Sequence, residues 1–160
     1  MKPTWLAFAA VALLLASVGP ATADIVGPAL VQADGTLKVT GRKIHLFGIY
    51  IAPTNRNCRT VIRPVRCGSR AVLALDFRIQ SLVRCQPRVR FRDGSLSAVC
   101  WVKGDGSILS PDIDLGAYLI QEGWAVALPG APFEYVTLER IARARNKGVW
   151  GFQADSIRVR

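Results

Sequence analysis

The chain has 160 residues and a formal net charge of +10, with 21 Lys and Arg set against 11 Asp and Glu. That length gives one ordinary domain with room for a core. It holds a single histidine and four cysteines, no two of them in a C-x-x-C pair, which argues against a zinc site.

In chain order, Lys2 supplies a positive start and Leu6 to Val18 is an uncharged apolar run, followed by Pro20 and the small-residue triplet Ala21-Thr22-Ala23. This is the pattern of a signal peptide with an A-x-A cleavage site. The run is shorter than the roughly 20 residues that span a bilayer. Residues 1–23 are therefore expected to be a signal peptide, and no membrane span is expected after cleavage. The protein is expected to be exported, periplasmic or secreted. A single domain then covers residues 24–152 and a polar, basic tail covers 153–160.

Ile25 to Val31, Thr36 to Val39 and Lys43 to Ile49 are divided by Asp34-Gly35 and Thr40-Gly41, and read as a three-stranded meander. A polar loop from Pro53 to Pro64 carries Cys58. Ser69 is placed to cap a helix running to about Val83, with Val72, Leu75, Ile79 and Leu82 on one face. The stretch Arg88 to Arg92 alternates, which sends Val89 and Phe91 inward and Arg88, Arg90 and Arg92 outward. Asp93-Gly94 is a type I′ hairpin signal, and Leu96 to Val102 is the returning strand. Asp112 or Asp114 caps a second helix that ends at Gly123, and Trp124 to Leu128 is a short extended piece. Pro132 opens a third helix through about Lys147, with Tyr135, Leu138, Ile141 and Ala142 inward. Three strands, a helix, two strands and two helices is the order of an OB-fold, a five-stranded β-barrel with about three α-helices.

All four cysteines fall in the expected mature chain: Cys58, Cys67, Cys85 and Cys100. An even count in an exported protein reads as two disulfides, and four cysteines allow three connectivities. Cys58–Cys67 and Cys85–Cys100 are favoured because each pair staples neighbouring elements. From Arg56 to Arg92 the chain carries ten arginines against one acid, Asp76. Such a field attracts polyanions, although charge alone names no ligand.

Several of these stretches resemble the thermonuclease (staphylococcal nuclease-like) domain family. They are Ala33-Asp34-Gly35-Thr36-Leu37, then Ile44-His45-Leu46-Phe47-Gly48-Ile49 with Ala52-Pro53. Further on come Cys67-Gly68, Gly94 through Cys100, Asp114 to Leu119, Glu122 to Ala125, and Ala144 to Gly151. The resemblance covers about Val26 to Phe152. It implies the same OB-fold, and supports the two disulfides, because similar exported members carry cysteines in these places.

The family's chemistry is calcium-dependent phosphodiester cleavage by two metal-binding aspartates, a glutamate and two arginines. Carried across one at a time, these fall on Gly35 (or on a position deleted here), on Tyr50 (or Ile51, since the chain has one extra residue there), on Thr54, and on His45 and Ser95. None of the five matches. No carboxylate stands between Asp34 and Asp76, so the centre lacks the oxygens a hard divalent cation needs. No catalytic residue, metal site or cofactor is expected, calcium included. Arg42, Lys43, His45, Tyr50, Arg88, Arg90 and Arg92 are the candidate binding residues. The expected function is a polyanion-binding module, for nucleic acid or acidic polysaccharide. The alternatives are a hydrolase with altered chemistry, drawing on Asp93, Asp105 or His45, and a scaffold for an acidic protein.

Overall fold

The computed structural model describes residues 23–51, 57–58, 65–104 and 109–151. The strands are β1 (Ile25–Gly27), β2 (Ala29–Val31), β3 (Leu37–Val39), β4 (Arg42–Leu46), β5 (Ile49–Tyr50), β6 (Asn57–Cys58), β7 (Val65–Arg66), β8 (Val83–Arg90), β9 (Leu96–Lys103), β10 (Asp112–Asp114) and β11 (Val126–Ala127). The helices are α1 (Cys67–Arg78), α2 (Leu115–Gln121) and α3 (Phe133–Ala144), and a 3₁₀ turn, Gly148–Gly151, follows.

The main sheet runs β1-β8-β9-β4-β3-β2. The ends of that path, β1 and β2, are consecutive in the chain across Pro28. The expected first strand is therefore two: Pro28 has no N–H to give a ladder, and the chain bends there, pairing with β8 on one side and β3 on the other. That bend brings the sheet round into a nearly closed barrel of five chain segments, in which β4 and β9 run parallel. This is the OB-fold-like barrel with three helices that the order of elements predicts. Leu37, Ile44 and Leu96 lie side by side across β3, β4 and β9 and are buried in the barrel core.

Pro87 carries a second departure. Within β8 and β9, Pro87 pairs with Ala98 and Val89 with Ser97, so Arg88 is an inserted residue, a β-bulge. The bulge shifts the alternation by one place. Val89 and Phe91, expected inward, are 46% and 44% exposed. The turn that follows is not type I′, which needs positive φ at both central residues. Gly94 has φ +81, while Asp93 does not have positive φ. Instead Phe91 accepts from the Gly94 N–H at 3.1 Å, and its own N–H donates to Ser95 at 2.9 Å. This is a type I turn closed by a glycine bulge. The turn with both φ values positive is Thr40-Gly41, at +48 and +81.

Cys85 and Cys100 are directly opposite on β8 and β9, buried and joined by a disulfide. The side chains of Cys58 and Cys67, and so their expected pairing, lie outside what is described, as do residues 1–22 and 152–160.

The helices close the barrel's other side. α1 starts at Cys67, so Ser69 lies within it rather than capping it. It ends at Arg78; Ala71 and Leu75 are buried while Leu82 is 59% exposed beyond its end. Asp114 caps α2, accepting from the N–H groups of Gly116 and Ala117 at 2.8 and 3.2 Å. Tyr135 and Ala142 of α3 are buried as expected, but Ile141 is 40% exposed. The inward place next to them belongs to Glu139, which accepts the Ala127 N–H at 2.8 Å and pairs with Arg143. No helix among the described residues is long and apolar enough to cross a membrane.

Candidate functional site

The barrel brings together three of the positions compared above with the thermonuclease family. Gly35, His45 and Tyr50 line one small hollow of about 160 Å³ with Asp34 and Ile51. His45 is paired across the parallel ladder with Ser97, and Ser97 with Val89. These three form a row on the outer face of the barrel, with the Phe91 ring set edge-on to His45 at 5.5 Å. Ser95 is buried at the adjacent turn, where its hydroxyl donates to Asp93 at 2.6 Å. Thr54 and Asp105 lie outside the described residues.

The described lining of the hollow offers a calcium ion few oxygen ligands. Among the described residues that line it Asp34 is the only carboxylate, and both its oxygens are engaged. Oδ1 accepts from the Thr36 N–H at 3.0 Å and its hydroxyl at 2.6 Å, and Oδ2 accepts from Lys43 at 3.1 Å. Partial burial works to raise the Asp34 pKa, but the Thr36 and Lys43 hydrogen bonds outweigh it and lower the pKa from 3.8 to about 2. Gly35 has φ +80, and a Cβ there would stand 2.6 Å from Ile51 Cδ1. Ile51 fills the space an acidic side chain would need. Among the described residues no group of three or more His, Cys, Asp or Glu side chains is placed to hold a metal ion.

An altered hydrolase would need two free carboxylates facing this cleft. Among the described residues Asp34 lines the hollow and Asp93 acts on His45, and each is tied into its own turn. Asp93 accepts from the Ser95 hydroxyl and N–H. Those bonds, the hydroxyl's first, hold its carboxyl below the ordinary range, with the nearby His45 adding a smaller pull.

The expected cationic residues divide into two kinds. Arg42, Arg88 and Arg90 line a hollow of about 310 Å³ at the barrel mouth with Pro87 and Leu96. The Arg88 bulge puts Arg90 opposite Leu96, on the barrel-core side of the sheet, and so beside Arg42. Arg42, Arg88, Arg90 and Arg92 are exposed and make no ion pair among the described residues. Lys43 is opposite Lys38 on β3 and is paired with Asp34. Arg84, from the same arginine-rich stretch, is structural. It bridges Asp24 and Asp112 at 3.2 and 2.9 Å and stacks over Trp101 at 4.8 Å. Arg56, Arg59, Arg63 and the side chain of Arg66 lie outside the described residues.

Sequence reasoning missed a larger hollow of about 670 Å³ on the outer face of β9, walled by α2 and α3 and reached by Arg78 and Arg88. Its walls meet only through helix packing, and no local motif marks them. Compared with known proteins, the chain matches no protein-family model and no curated protein. The site is therefore read from its own chemistry.

Proposed function

We propose that this is an exported polyanion-binding protein, a thermonuclease-like OB-fold whose catalytic set has been replaced. The observation that carries the reading is the sorting of charge at the barrel mouth. Three exposed arginines there, Arg42, Arg88 and Arg90, and Arg92 in the turn that follows β8 are without carboxylate partners among the described residues, whereas Asp34 and Asp93 are both tied into turns. A row of uncommitted guanidinium forks suits phosphate or carboxylate groups spaced along a chain. The exposed Phe91 and Val89 beside them give an apolar surface to the same ligand. Export is supported by the Leu6 to Val18 run with its A-x-A triplet, and by a disulfide of the kind that persists in oxidising compartments.

The test is anisotropy of a fluorescent single-stranded oligonucleotide and of a labelled polyuronate, each with calcium and with chelator. Expected is salt-sensitive binding without cleavage. Replacing both Arg42 and Arg90 by Ala is expected to weaken it about tenfold and to reduce the salt slope by roughly 1 to 2. Calcium-dependent cleavage would overturn the reading, and binding to neither polymer would leave an acidic protein as the partner.

A further inference from the structure

The 670 Å³ hollow lies apart from the hollow at Gly35, His45 and Tyr50, and its charges show what it can take. Three carboxylates on its wall are already engaged. Asp112 is paired with Arg84 and Lys103, and Glu122 with Lys147 at 2.9 Å. Asp114 caps α2 and accepts the Tyr135 hydroxyl at 2.7 Å. Burial first, and then the Asp114 charge, pushes the Tyr135 phenol well above its ordinary range, so that hydroxyl stays a donor.

The two arginines are in the opposite condition. Arg78 lies over the Tyr118 ring at 5.2 Å, and its Nε is shielded from solvent with no hydrogen-bond partner among the described residues. That Nε is closed to a ligand as it is to water, so an anion in the hollow would meet the rest of the guanidinium, which makes no ion pair among the described residues. Arg88, held out of register by the bulge, is also without an ion pair among the described residues. Among the described residues only Glu134, exposed in the first turn of α3, makes no ion pair on the acidic side. Trp101, Tyr118 and Ile113 supply the apolar wall.

We infer that this hollow is a second site, taking a small organic anion: a phosphate or carboxylate carried on a compact apolar body. Arg78 and Arg88 hold the anionic group, and the body lies against Trp101 and Tyr118. The volume is of the size that small ligands occupy. Arg88 lines this hollow and the barrel-mouth groove alike, so the two sites meet at the bulge.

The test is a titration of the purified protein with phenyl phosphate, benzoate and inorganic phosphate, followed by the NMR signals of the Trp101 indole and Arg78 Nε–H groups. Expected are saturable shifts in the millimolar range or tighter with phenyl phosphate or benzoate, and weaker ones with inorganic phosphate. The stronger of the first two tells whether phosphate or carboxylate is preferred. Arg78→Gln is expected to weaken binding about tenfold. Ala117→Phe, which adds bulk to the wall of the hollow, is expected to abolish it, and Lys38→Ala, exposed on β3 and lining neither hollow, to leave it unchanged. Absence of saturable shifts, equal response to inorganic phosphate, or insensitivity to both Arg78→Gln and Ala117→Phe would overturn the inference.

Discussion

Two turns of the molecule are built to one plan and end in different surroundings. Asp34-Gly35-Thr36 and Asp93-Gly94-Ser95 each place an aspartate Oδ1 on the N–H and hydroxyl of the residue two ahead, at 3.0 and 2.6 Å in both. Each glycine is left-handed, at φ +80 and +81. Around the first, Lys43 takes the spare carboxylate oxygen and Ile51 covers the glycine. Around the second, a Cβ on Gly94 would meet nothing within 4 Å among the described residues, and Phe91 and Arg92 are exposed. The same local chemistry thus produces a sealed turn and an open one. The neighbours decide which can meet a ligand, and they favour the second.

The hairpins that carry the turns differ in how they are held. β2 and β3 are three-residue strands, while β8 and β9 are eight residues each and joined by the buried disulfide. Breaking that difference should have the largest effect: Cys85→Ala with Cys100→Ala is expected to cost about 3 kcal/mol in urea unfolding. Next is the pair of glycines. Gly35→Ala meets both the left-handed backbone and Ile51 Cδ1 at 2.6 Å, and is expected to destabilise by about 2 kcal/mol. Gly94→Ala meets only the backbone term, about 1 kcal/mol. Equal losses would show that Ile51 yields freely and that the first turn is not sealed.

How much of this was legible depended on whether the deciding contact was local. The left-handed glycines at 35 and 94, the Asp114 cap and the Cys85–Cys100 pair follow from residues close in sequence or across one hairpin. The barrel follows from their order. Pro28 and Pro87 were the readable signals for the split first strand and the bulge, because proline inside a strand has no N–H for the ladder. Without them the alternation from Arg88 to Arg92 points to the wrong face. Asp-Gly fits two turn types, and the Thr36 and Ser95 hydroxyls are what favour the aspartate-capped one. The meeting of Gly35, His45 and Tyr50 came from family resemblance, whereas the Ile51 plug and the Arg78 hollow depend on packing between distant elements. Glu139 displaces Ile141 from the core for the same reason, since its partner is the backbone of β11.

The smallest expected effect separates the two aspartates by pH. Asp34 has its pKa lowered from 3.8 to about 2, so its contribution to stability is present above 3.8 and is lost as pH falls through about 2. Its side chain is 53% exposed, which screens the interaction and leaves about 1 kcal/mol. The Asp93 carboxyl is also held low, but at a fully exposed turn, so its loss on acidification should be the lesser. Urea unfolding at about pH 5 and about pH 2 should therefore lose more of its pH dependence in Asp34→Asn than in Asp93→Asn. Salt should narrow the gap, because Lys43 contributes only to the first turn and exposed charge pairs are screened. A greater loss in Asp93→Asn would place the tighter carboxylate at the open turn and reverse the assignment of sealed and open.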